Sequence, residues 1–282
     1  MRAPLLCFIL LVVYSVSRQS QTAYGVAYVW AEDGAAECCG AQGPEIKQLF
    51  KNADRFYAQF KPKESAVELR KILQVDPANS EAMLKLCRAH IDMGDMVPDS
   101  GQDWKEKKLK EYKIAEDYAH KAIRIKPDSS WAYFYVAASI GSAAFLAPVS
   151  KQIEMAGEIR EAVEKSISLD PQNGFAYHVY GVWQRKMAEI GKGSRMFASL
   201  VYGRSPPTGS FEKSIEDLKK AVALNPKVIT SRLELAKSYL AVENWPSART
   251  LLLSIRDLPT QFSDDAKHKQ QAEELVAQIK DR

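Results

Sequence analysis

Phosphate chemistry is the first to test for, because Gly191-Lys192-Gly193-Ser194 sets a lysine and a hydroxyl among glycines. A backbone phosphate cradle needs the spacing G-x-x-x-x-G-K-[ST] behind a strand. That spacing is absent, so no phosphate loop is expected. The four histidines, His90, His120, His178 and His268, are scattered and none forms an H-x-x-x-H pair, so no metal site is expected. No nucleophile, base and orienting group fall into a recognisable set. Catalytic residues, cofactors and metal are therefore all assigned as none. What remains is charge. Residues 184–204 carry Arg185, Lys186, Lys192, Arg195 and Arg204 against a single Glu189. Met187, Ile190, Met196, Phe197, Leu200, Val201 and Tyr202 are interleaved, so the stretch is amphipathic. Such a basic insert suits docking on an acidic surface, either a protein or anionic lipid. The competing reading is an inserted helix that packs its apolar side on the core and solvates its cations.

The elements that would position these residues follow from composition and pattern. Of the 282 residues 46% are apolar and 26% charged, which is ordinary for a folded soluble domain. The net charge of +4 is too mild to suggest nucleic-acid binding.

Residues 1–27 stand apart as a signal peptide or N-terminal anchor. Arg2 precedes an uncharged, mostly apolar run over residues 3–16, and polar residues follow. Ser15-Val16-Ser17 and Gly25-Val26-Ala27 are candidate cleavage sites. Cleavage would place the chain in the secretory pathway or outside the cytoplasm. Retention would leave it membrane-anchored and facing the cytosol. Residues 28–45 are expected to be a flexible linker. Cys38 and Cys39 are neighbours there and rarely bond one another. Cys87 falls on an apolar repeat position and reads as a small buried hydrophobe.

A recurring motif dominates the rest. Val75-Asp76-Pro77, Ile125-Lys126-Pro127, Leu169-Asp170-Pro171 and Leu224-Asn225-Pro226 each close a stretch of helical periodicity, and Asp257-Leu258-Pro259 is a weaker fifth copy. The residue before a proline disfavours the helical region, so each motif is a helix stop. In residues 46–79 apolar or small side chains fall at Leu49, Ala53, Phe56, Ser65, Leu69 and Ile72, which suits two antiparallel helices in close contact. The pattern resembles the tetratricopeptide repeat, a helix-turn-helix unit of about 34 residues. Here the prolines lie 50, 44, 55 and 33 residues apart, so material is inserted within the second, third and fourth units. The expected fold is all-α: a tetratricopeptide-like helical-repeat solenoid of about five helix pairs over residues 46–259, with a capping helix in 260–282.

In the tetratricopeptide pattern, first-helix positions not used for packing line a concave groove. The matching residues include Arg88, Trp131, Phe134, Phe175, His178, Arg185 and Lys237. Aromatic and basic groups there would suit an extended peptide carrying acidic groups, although aromatics at helical spacing also fit a core.

The fourth and fifth units narrow the resemblance. Tyr180-Gly181-Val182-Trp183 leads into residues 196–203 (MFASLVYG), then Ser205-Pro206-Pro207, residues 210–226 (SFEKSIEDLKKAVALNP) and Leu235-Ala236-Lys237-Ser238-Tyr239. This order resembles the regulator of microtubule dynamics family. The resemblance implies a non-catalytic helical-repeat scaffold with a protein partner, either a peptide or an acidic surface such as tubulin. It also implies membrane association through the N-terminus for some members. The alternative expectation is an exported, periplasmic or secreted, repeat adaptor that helps assemble envelope components.

Overall fold

The structure, a computed structural model, describes residues 43–282. The expected leader and Cys7, Cys38 and Cys39 lie outside these residues. Among the described residues there are twelve helices: α1 (Pro44–Ala58), α2 (Pro62–Val75), α3 (Ser80–Met96), α4 (Trp104–Ile125), α5 (Ser130–Ala144), α6 (Val149–Leu169), α7 (Gly174–Glu189), α8 (Lys192–Tyr202), α9 (Phe211–Leu224), α10 (Ile229–Ala241), α11 (Trp245–Ser254) and α12 (Asp265–Gln278). No strand occurs among the described residues. No helix of the described residues is long and apolar enough to cross a membrane.

The proline motifs act as helix stops in a uniform way. At Asp76, Lys126, Asp170 and Asn225 the backbone turns out of the helix, with φ of -128°, -132°, -142° and -129°. Each of these residues still donates its N–H to the carbonyl four residues back, at 2.7–3.0 Å. Three residues on, Asn79, Ser129 and Asn173 accept the N–H of Ala82, Ala132 and Ala176 on their side chains, at 2.9, 3.3 and 3.1 Å. Stop, turn and N-cap are thus encoded in five residues, and the cap satisfies a donor that the first helical turn leaves free.

The helices pair as α1/α2, α3/α4, α5/α6, α7/α9 and α10/α11, and each second helix packs on the first helix of the next pair. The first helices α3, α5, α7 and α10 also touch one another in succession. They therefore form the tight, concave side of the solenoid. Close approach within pairs depends on small residues: Ala53, Ala119, Ser166, Ser214, Ala221 and Ala248 are fully buried. Cys87 is buried as expected, and burial pushes its thiol up.

The insertions take different forms. The second and third units lengthen their second helices, α4 and α6, to 22 and 21 residues. The fourth inserts a whole helix, α8, between α7 and α9, with Ala198 as its buried residue. At the end of the stack, Ala272 of α12 and the adjoining Ile279 pack on Ile229, Leu233, Ala236 and Leu252 of the last pair.

Candidate functional site

The inner helices bring the groove candidates to one side of the solenoid and then cover most of them. Trp131 and Phe134 of α5 meet Phe175 of α7, with ring centroids 5.6 Å (Trp131–Phe134) and 5.7 Å (Trp131–Phe175) apart. Phe134 and Phe175 are buried and Trp131 is half-buried against the main core. These aromatics pack the stack rather than forming an open platform.

The charged candidates are also engaged. Arg88 of α3 is buried with its guanidinium 3.5 Å from the Tyr57 ring centroid. Tyr57 in turn donates to the Asp92 carboxylate. Arg185 of α7 pairs with Glu189 at 2.7 Å and with Glu234 of α10. Lys237 reaches the other Glu234 oxygen at 2.7 Å. Burial would raise the Glu234 carboxyl, but Lys237 and Arg185 outweigh it and hold the group well below the usual carboxylate range. His178 meets Ser231 Oγ at 3.1 Å. Burial pushes its pKa down to about 4, with Glu234 opposing and Lys237 and Arg185 adding to the shift, so it is neutral at physiological pH.

The chain's own C-terminal segment also packs on this side of the stack. Phe262 is 1% exposed and belongs to the buried cluster that holds Ile91, Tyr135 and Phe175. With Gln261 and Ser263 it also borders a small cavity shared with Tyr57, Phe60, Pro62, Asp92 and Met96 of the first two units. The segment from Ile255 to α12 is thus a strap that reaches back from the last unit to the first. Asp265 Oδ2 fixes its turn by accepting the N–H of Gln261 at 2.7 Å and of Phe262 at 2.9 Å. Lys237 donates to Gln271 of α12 at 3.2 Å.

Acidic groups meet where the strap lands. Burial raises Asp264 to about 8, with Asp265 and Asp92 adding like-charge repulsion. Burial likewise raises Asp92 to about 7, against the Tyr57 hydrogen bond and the Arg88 charge. Asp95 is raised well above the usual range by burial, although it accepts from Tyr112 at 2.6 Å. One ligand atom each of Asp264, Asp265 and His268 lies within 4.8 Å of the others, a spacing that a cation could use. Asp265 Oδ2 is already occupied by the strap turn, and His268 Nε2 faces Asp264 at 3.5 Å. The sequence reading missed the strap. Its signal was Phe262 alone within the polar stretch 260–265, too short a pattern to interpret without the fold.

The basic insert divides. Lys186 pairs with Glu189 at 3.1 Å. Arg195 clamps the base of the insert, donating to the carbonyls of Ile190 (3.1 Å), Pro206 (2.6 Å), Pro207 (2.7 Å) and Met187. Lys192 and Arg204 are exposed. So is an apolar row on α8: Met196 is 66%, Leu200 78%, Val201 53% and Tyr202 41% exposed. This apolar helix face is shown to solvent and flanked by those two cations.

The chain and its fold have counterparts among known proteins. A family model described as regulator of microtubule dynamics protein 1-3 matches residues 49–280. Regulator of microtubule dynamics protein 1 of Bos taurus is 26% identical over 84% of this chain and 73% of its own length. The Caenorhabditis elegans protein of the same name is 23% identical over 81% of this chain and 98% of its own. The crystal structure of a thermophilic TPR protein of Thermus thermophilus covers 81% of this chain and 98% of that one, with TM-score 0.59 and 14% identity, a likeness of fold alone. A tetratricopeptide-type solenoid whose match runs from α1 through α12 identifies the chain as a member of the regulator of microtubule dynamics family.

Proposed function

We propose that this protein is a non-catalytic scaffold that associates with microtubules, and that α8 makes the contact. The observation that carries this reading is the outward face of the insert. Met196, Leu200, Val201 and Tyr202 are exposed together, Lys192 and Arg204 flank them, and no acidic residue lies between Glu189 and Glu212. An apolar face with a basic rim complements an acidic protein surface such as tubulin's, where cations steer the encounter and the apolar row is desolvated on contact. Family membership supports a microtubule role over the envelope-adaptor alternative, because the curated relatives are animal proteins named for microtubule dynamics. An uncleaved anchor in residues 1–27 fits that role best, since it leaves the repeat domain facing the cytosol.

Co-sedimentation of the full chain with stabilised microtubules tests the contact. Lys192→Glu with Arg204→Glu should weaken binding about tenfold and reduce its salt dependence. Leu200→Ser should weaken it with the salt dependence intact. Binding unchanged in all these variants would overturn the assignment of α8. Protease protection of membranes from cells expressing the chain tests the anchor: a repeat domain shielded inside the vesicles would refute it.

A further inference from the structure

The strap packs on the concave side through an apolar and a polar half. Phe262 is buried in the core cluster, while Gln261 and Ser263 border the cavity at Tyr57 and Met96. The apolar half of this contact is well made. The polar half is not. Asp264 is set against Asp92 and Asp265, acids like itself, which add to burial in raising its carboxyl to about 8, and Asp264 is in turn among the groups that raise Asp95. Asp264 Oδ1, Asp95 Oδ2 and His268 Nδ1 are buried with no hydrogen-bond partner among the described residues. Buried polar atoms without partners favour any arrangement that supplies one. An aromatic anchor fits here; an acidic residue two positions after it does not.

We infer that the concave face is a recognition groove for an extended peptide carrying an aromatic residue followed two positions later by lysine or arginine, and that the strap occupies it as a displaceable internal ligand. A cation at the Asp264 position would meet the acidic groups of α3, where Asp95 Oδ2 is left unmatched. Of the basic groups expected to line the groove, Arg185 and Lys237 converge on Glu234, while Arg88 lies over the Tyr57 ring and already offsets Asp92, which leaves Asp95 as the acceptor for such a ligand. Displacement is local. Below the strap, the residues that follow α12 stay tied by Arg249, which donates to the carbonyls of Lys280 at 3.1 Å and Arg282 at 3.3 Å. Releasing the strap therefore need not unfold the cap.

The test uses the full chain and two fluorescent peptides by anisotropy: residues 257–268 as they stand, and the same peptide with lysine in place of Asp264. Phe262→Ala should release the strap and raise affinity for the lysine peptide about tenfold over wild type, because the closed form no longer competes. The lysine peptide should bind that variant better than the native-sequence peptide. Adding Asp92→Asn and Asp95→Asn should erase the preference. Equal, weak binding of both peptides to wild type and Phe262→Ala would overturn the proposal. So would preferential binding of the native-sequence peptide, which would instead indicate exchange of the strap between copies. Asp264→Asn provides a check that does not rely on removing a core side chain. At about pH 8.5, where Asp264 is ionised, it removes one like charge and should slow hydrogen exchange over residues 258–264; faster exchange there would overturn the proposal.

Discussion

A missing side chain sets the closeness of the fourth helix pair. A Cβ on Gly181 of α7 would come within 2.6 Å of Leu218 Cγ and 3.1 Å of the Ser214 carbonyl oxygen of α9. Ser214 exploits the approach: its hydroxyl donates to the Gly181 carbonyl at 2.7 Å and meets Ser238 Oγ at 2.8 Å. Gly181→Ala would gain about 1 kcal/mol of helix propensity. Pushing α9 away costs about 1–3 kcal/mol and should also loosen the Ser214 hydrogen bond. The variant is therefore expected to be destabilised, seen as a lower urea midpoint with the slope unchanged. A raised midpoint would show that Leu218 yields without cost. Cys87 was legible in the sequence as a small buried side chain because it falls on an apolar repeat position. Asp92 and Asp95 were not. Three residues apart on one helix, they look like part of a solvated face, and nothing local marks the acidic strap that covers them.

At the scale of the element, punctuation was easier to read than placement. The proline motifs located every second-helix stop from α2 to α9, because a proline constrains the residue before it wherever it occurs. The irregular spacing between them announced the insertions. It could not say that one would be a separate helix pointing its apolar side outward, since amphipathicity gives a face and not its partner. Arg195 shows why α8 holds its position without packing into the stack: one guanidinium ties both ends of the insert, from Met187 and Ile190 to Pro206 and Pro207. Among the basic residues singled out by charge alone, this one is structural. Arg195→Ala is expected to speed amide exchange across residues 190–207. The melting temperature should fall by no more than about 2–4 °C, the equivalent of about 1 kcal/mol in a domain of this size, since α8 buries little. A cooperative loss of the whole fourth unit would show instead that the insert supports α7 and α9.

A solenoid in which each unit touches only its neighbours has additive stability, and its ends fray independently. The strap changes that by joining the last unit to the first two through Phe262 and Asp264. The joint carries a pH dependence whose sign follows from burial. Asp92 at about 7 and Asp264 at about 8 bind protons more tightly in the folded chain than the unfolded value of about 4. Their contribution is complete below that unfolded value and is lost as pH rises through 7 to 8. His178 and His268, pushed down to about 4 by burial, act in the opposite direction. Their contribution is complete above about 6.5 and is lost as pH falls toward 4. Between about pH 6.5 and 8.5 the acids alone are titrating among these four groups. Across that window the melting temperature is expected to fall, and amides of residues 258–264 should lose protection before those of α3 and α5. Asp264→Asn should flatten the fall, because an amide at that position has no charge to acquire. A wild-type profile that is flat or rising over the window would mean that the carboxylates at the joint are already ionised and solvated, and that the strap does not couple the two ends of the solenoid.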